Sequence, residues 1–180
     1  SFVFVSSRRW ARKQDWIAEA KRKIHWADVR AYDADDLEAW LETAPGVRMW
    51  FGELLGLSGS GVSSIAQYWE NWRSQSSPAL TSAAIFSQRD TAVSAFRDAL
   101  SGVQPIVIIE ADSREEAIAF ACAQLLDMGQ ADHAACVTSS DGWRYIDANR
   151  QIRIALATTV EIAAARAPIA GLTLVIPMSL

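Results

Sequence analysis

The sequence predicts an α/β protein of two units. A tryptophan-rich mixed α/β unit over residues 1–76 is followed, over residues 77–180, by a three-layer α/β unit with a parallel sheet, or the first half of one. Three observations predict it. From residue 105 onward apolar strand-like runs alternate with helical patterns, and parallel pairing follows because each parallel strand requires a crossover. Those runs, PIVIIE, HAACVTS, IRIALAT and LTLVIPM, are continuously apolar rather than alternating, as strands covered on both faces are. Composition also changes along the chain: only Trp143 among eight tryptophans follows residue 73, and residues 1–30 carry eight cations against three acids, leaving a remainder near −9.

The first unit opens with FVFV at 2–5, whose β-branched and aromatic residues suit a buried strand. In SSRRWARKQDWIAEAKRKI, Trp10, Trp16, Ile17, Ala20 and Ile24 recur at near-helical spacing with cations between them, which predicts a basic amphipathic helix. DVRAY at 28–32 reads as a short strand. In DADDLEAWLETAPG, Asp35 and Glu38 have the spacing of an acidic capping box, Leu37, Trp40 and Leu41 form the apolar face, and Pro45 with Gly46 stops the helix. VRMWFGELLGL continues as helix to a flexible turn, SGSG at 58–61. VSSIAQYWENWRSQ reads as one more short helix, and SQSSPALTS at 74–82 is either a mobile linker or a packed connection.

The second unit begins near Pro78 with IFSQRDTAVSAFRDALSG, a helix ending at Gly102. The helical patterns SREEAIAFACAQLLDMG, SDGWRYIDAN and TVEIAAARAP then separate the four apolar strands. A sheet cut off after LVIPM is expected to expose an apolar edge there and to self-associate.

Several chemistries are excluded. The longest apolar runs fall far short of the roughly 20 residues of a membrane-spanning helix, and no signal segment opens the chain, so a cytoplasmic location and no membrane partner are expected. Cys122 on a helical pattern and Cys136 in a strand, without CxxC or clustered histidines, read as buried thiols. A phosphate-binding loop requires glycines, a lysine and a hydroxyl, whereas IEADSREE at 109–116 holds neither glycine nor lysine. There Ser113 and Glu116 have capping-box spacing, and Glu115 and Glu116 place negative charge in the first helical turn, where it repels a phosphate. Asp33, Asp35, Asp36 and Glu38 read as helix initiation rather than a metal site, Asp132, His133 and His25 as loop or packing residues, and GLSGSG at 56–61 as a loop without a nucleophile. No catalytic residue, cofactor or metal is expected.

One candidate functional surface is left: Arg8, Arg9, Arg12, Lys13, Lys21, Arg22 and Lys23, interleaved with Trp10, Trp16 and Trp26, have the chemistry to meet a nucleic-acid backbone without reading base sequence. A solvated basic face over a tryptophan core has the same spacing.

FVFVSSRRWARKQDW, DVRAYDADDLEAWLETAPGVRMWFGELLG and YWENW resemble a segment of large bacterial DNA-defence proteins, in which a restriction-endonuclease-like domain of the PD-(D/E)XK class precedes a P-loop NTPase region of the STAND kind. IFSQRDTAVSAFRDAL is similar to the short helix that introduces such NTPase domains, with Ser87, Gln88, Arg89 or Gln88, Arg89, Asp90 where a Gly-Arg-Glu triplet is usual. The resemblance implies that residues 1–76 are the rear of a nuclease-like unit and 77–180 a degenerate P-loop or Rossmann-like domain. It also implies that both are cut, with the nuclease's catalytic carboxylates and lysine upstream of Ser1.

The favoured expectation is a noncatalytic binding and assembly module of such a protein, with DNA contact through the basic helix. One alternative is part of a nuclease or NTPase whose active site a missing segment or partner completes. The other is a protein–protein interaction domain with no nucleic-acid role.

Overall fold

The computed structural model describes residues 1–23, 26–57, 61–102 and 104–180. Within these the chain divides into two compact units, Ser1–Thr43 and Ala44–Leu180.

The first unit is a small βαβ turn with one more helix. Strands β1 (Phe2–Val5) and β2 (Val29–Tyr32) pair in parallel from Phe2 opposite Val29 to Val5 opposite Tyr32, with helix α1 (Lys13–Lys23) as the crossover and α2 (Ala34–Thr43) following. FVFV is not the buried strand its composition predicts. A two-stranded sheet consists of edges, and successive side chains alternate between its faces. Phe2 and Phe4 lie on one side against Trp16, Trp26 and Trp10, while Val3 and Val5 are more than half exposed.

Helix α1 begins at Lys13, so Arg8, Arg9 and Arg12 precede it instead of lying on it. That segment is tied down elsewhere: Trp10 N–H donates to Asp33 Oδ2 at 3.0 Å, and Ala34 N–H to the Arg8 carbonyl at 3.5 Å. The capping box of α2 is also two residues earlier than Asp35 and Glu38. Asp33 N–H donates to Asp36 Oδ2 at 2.8 Å, and Asp36 N–H to Asp33 Oδ1 at 3.4 Å.

The second unit carries the five-stranded sheet, in the order β3-β5-β6-β7-β4. Strands β4 (Ile106–Ala111), β5 (Ala134–Val137), β6 (Ile154–Ala157) and β7 (Thr173–Ser179) are parallel, as the alternating pattern requires. Beside β5, a strand of three residues, β3 (Val62–Ser64), runs antiparallel with Val62 opposite Val137. VSSIAQYWENWRSQ thus supplies a strand before helix α4 (Ile65–Arg73), with Ser64 both ending β3 and accepting the Gln67 N–H as helix cap. This strand joins the sheet, and α4 packs with Tyr68, Trp69 and Trp72 on the core beneath. Residues 44–76 therefore belong with the second unit, and the division falls after Thr43, upstream of the boundary at 76 that composition suggests.

Both faces of the sheet are covered, except that the Ile106–Ile108 side of β4 stays open, so PIVIIE is not covered on both faces as its apolar run predicts. On one lie α4, α5 (Ser82–Phe86), α6 (Asp90–Ser101) and α7 (Arg114–Asp127), enclosing Val107, Cys136, Leu156 and Val175. On the other lie α3 (Pro45–Leu54), α8 (Gly142–Ala148) and α9 (Val160–Ala164), over Ala135, Val137, Ala155 and Leu174. The helix expected to run unbroken to Gly102 is two helices, because Gln88 turns into the left-handed region at φ 60° between α5 and α6. SQSSPALTS is a packed connection: Leu80 N–H bonds the Arg73 carbonyl, and Thr81 caps α5 by accepting the Ala84 N–H.

β7 sits between β6 and β4, so LVIPM is interior and presents no free edge. The free edges are β3 and β4. His25 and residues 58–60 of SGSG lie outside the described residues.

Where Gly61 leaves φ at +84°, its carbonyl faces Gly142 at the start of α8; a Cβ on Gly142 would lie 2.0 Å from that oxygen. The Gly142→Ala variant is expected to lose about 1 to 3 kcal/mol of stability, measured by thermal or urea unfolding.

Candidate functional site

An open α/β sheet holds ligands outside the carboxyl ends of its strands, where neighbouring strands send their helices to opposite faces. Here the change of face falls around β7: beyond β4 the chain enters α7 on one face, beyond β6 it enters α9 on the other, and β7 lies between those two strands. A cavity of about 310 Å³ opens there, lined by Arg89, Glu110, Asp112, Glu116, Phe120 and Leu180 among others. A larger one, about 500 Å³, lies at the opposite ends of β6 and β7; its Arg166 is already engaged by Asp147, with a 2.8 Å bond from Nη1 to Oδ2, and stacks 5.3 Å over Trp143.

The crevice beyond β4 has the geometry of a phosphate site and the wrong chemistry for one. Ser113 Oγ accepts the Glu116 N–H at 3.1 Å, so one of the amides that would face an anion is taken by the chain itself. The capping box is only half closed, since the Glu116 carboxylate turns to the Arg89 guanidinium instead of returning to Ser113. Glu115 pairs with Arg114 at 3.2 Å; its own backbone N–H, then Arg114, hold its carboxyl below the usual range. Glu110, Asp112, Glu115 and Glu116 outnumber Arg89 and Arg114, and the balance repels phosphate.

Arg89 is the residue that sequence reasoning undervalued. It was visible only as part of a triplet, and the left-handed turn at Gln88 brings it across to the start of α7.

The basic segment of the first unit is neutralised by partners both near and distant in sequence. Arg9 Nε lies 2.9 Å from Asp35 and Nη2 3.8 Å from Glu38; Arg12 lies 3.5 Å from Asp15, Lys21 3.5 Å from Asp28, and Lys23 pairs with Glu19. Lys13 is the most enclosed, 2.8 Å from Asp33 and also bonded to Asp36. Among the described residues Arg8 and Arg22 have no carboxylate partner; Arg22 Nε donates to the Ala18 carbonyl. Residues 1–43 hold eight cations and eight acids, so the +5 of residues 1–30 is cancelled within the unit. The tryptophans are occupied as well: Trp16 packs against Phe2, Phe4 and Trp10, while Trp26 and Trp40 keep about half their surface.

Other sequence candidates resolve as packing. Asp33 and Asp36 serve the helix start and Lys13. His133 closes a 3₁₀ turn, Ala131–His133. Cys122 and Cys136 are buried free thiols with sulfurs 3.8 Å apart, and burial pushes the Cys136 thiol well up. Among the described residues no cluster of His, Cys, Asp or Glu is arranged to hold a metal ion, and no helix is long and apolar enough to cross a membrane.

The Lys13 ammonium, opposed first by desolvation and then helped by the Trp10 and Asp36 amides, holds the Asp33 carboxyl far below the usual carboxylate range. A carboxyl with a depressed native pKa binds fewer protons folded than unfolded, so its stabilisation is complete above the ordinary value and is lost as pH falls through the native one. Acid titration followed by tryptophan fluorescence is expected to show the first unit losing stability from about pH 4 downward. In Asp33→Asn that acid-side slope is expected to become shallower, with Glu19 and Asp28 supplying what is left, and stability at neutral pH is expected to be lower.

Compared with known protein families, with curated proteins and with solved structures, the chain matches none.

Proposed function

We propose that this chain is a noncatalytic binding and assembly module, of the kind that its resemblance to bacterial DNA-defence proteins implies. The observation that carries the reading is the crevice beyond β4. Beyond β4 the Ser113 hydroxyl caps the first turn of α7 from within, Arg89 takes up the Glu116 carboxylate, and Glu110, Asp112 and Glu115 add further negative charge. Arg89, from the triplet that carries part of the resemblance, reaches this same place, which supports an ancestral nucleotide fold whose chemistry has been replaced.

Exposed apolar surface supports the binding half of the reading. Helix α3 leaves Val47, Trp50, Phe51 and Leu54 exposed at i, i+3, i+4 and i+7, continued by Leu55 and Leu57. Its two charged side chains turn inward, Arg48 to Tyr145 and Asn149, Glu53 to Ser64 N–H at 3.0 Å and Oγ at 2.9 Å.

A DNA contact is the second reading. Lys21, Arg22 and Lys23 are exposed together on the last turn of α1, which favours it. That position also complements the helix dipole, and the ion pairs of the unit reduce the charge left for a phosphate backbone.

Calorimetric titration with ATP and Mg²⁺ is expected to give no saturable heat, and Ser113→Ala to cost about 1 kcal/mol of stability as a lost cap; micromolar ATP binding abolished by that substitution overturns the reading. By fluorescence anisotropy, duplex DNA is expected to show no binding at about 0.15 M salt and at most weak association at low salt. Salt-dependent binding that is still measurable at about 0.15 M salt and falls in Arg8→Ala with Arg22→Ala would establish the DNA reading instead.

A further inference from the structure

We propose that two copies of this chain pair antiparallel along β4, joining their sheets across a two-fold axis. This specifies the partner within the assembly reading above and rests on it.

Among the described residues β4 pairs with β7 alone. Leu174 N–H donates to the Pro105 carbonyl at 2.9 Å and Leu180 N–H to the Ala111 carbonyl at 3.0 Å, which fixes the odd-numbered residues of this strand as those turned toward β7. Ile106, Ile108 and Glu110 therefore aim their N–H and C=O groups at the free side, a row that is ready to pair.

Their side chains share one face, and Ile106 and Ile108 are 40% and 57% exposed. On that face α3, α8 and α9 gather over Ala135, Val137, Ala155 and Leu174, short of β4.

Of the usual devices, only the charge of Glu110 stands on this edge. The ladder to β7 is continuous over six residue pairs without a bulge, and IVIIEA holds no lysine and no proline. The opposite edge, β3, is only three residues long.

The charges rule out one register and allow the one centred on Ile108. With Ile108 opposite its own copy, Ile106 faces Glu110 and Gln104 faces Asp112, so no acid opposes an acid. The two Glu110 side chains then stand four residues apart, about 14 Å. Centring the pair on Glu110 would instead set the acids directly opposite each other, which is destabilising. A two-fold interface requires such a self-complementary segment, and IVIIEA is one.

Sedimentation velocity across a concentration series is expected to show reversible dimers. Ile108→Lys, at an exposed position that leaves circular dichroism unchanged, should raise the dissociation constant at least about a hundredfold by placing two cations opposite each other. Ile108→Cys should yield a disulfide-linked dimer on oxidation with diamide, since Cys122 and Cys136 are buried and do not compete. Leu54→Lys on the exposed face of α3 should leave the dimer intact. A chain that stays monomeric throughout, a dimer indifferent to Ile108→Lys, or one dissociated by Leu54→Lys instead overturns the proposal. Nucleotide titration reads the functional proposal separately, so either can fail without the other.

Discussion

The second unit depends on burying α7 on every side. Ala117 through Leu125 lie out of contact with solvent, and the helix can be enclosed this way because it is built largely from alanine, cysteine and a few larger apolar residues. One side rests on the sheet, where Cys122 meets Cys136; others meet Phe86 and Phe96 through Phe120, whose ring centroids lie 6.0 Å from each. Gln124, fully buried, is held through its Oε1 by Arg97 at 3.1 Å. A helix so enclosed fixes where its first turn stands, and that turn forms the floor of the crevice beyond β4.

Enclosure of α7 and the chemistry of its first turn are linked. A helix start that faces a phosphate leaves its amides for the ligand. In α7 the cap is supplied by Ser113, and the acidic first turn is balanced by Arg89 from the loop between α5 and α6 and by Arg114 beside it. The same contacts that satisfy the helix end tie the loop before α6 to α7, so this end of the sheet is part of the packing. The first unit repeats the pattern on a smaller scale: Asp33 and Asp36 satisfy each other's amides and hold Lys13, converting a basic segment into an internal ion-pair network.

What was legible in the sequence was local. The parallel strands, the start of α7 at Ser113 and the burial of both thiols follow from patterns within a few residues of each other. β3 was not legible, because three residues, two of them serine, carry no strand periodicity and are held only by pairing with Cys136 and its neighbours. Strand order was hidden for the same reason: apolar runs state that strands are covered, not which neighbours they take, and β7 became interior only because β4 lies outside it. Composition misplaced the division between units, since Trp69 and Trp72 pack on the sheet of the second unit despite belonging to the tryptophan-rich stretch. Charge counted over residues 1–30 exaggerated the basic character of the segment, because the acids that answer Arg9 and Lys13, namely Asp33, Asp35, Asp36 and Glu38, follow just beyond that window.

Hydrogen exchange of α7, recorded with and without Mg²⁺ and ATP, tests the central claim most directly. The account predicts that amides from Ala117 to Leu125 exchange among the slowest in the chain, and that Ser113 to Glu116 gain no protection when nucleotide is added. Fast exchange along α7, or protection of its first turn by nucleotide, would contradict it.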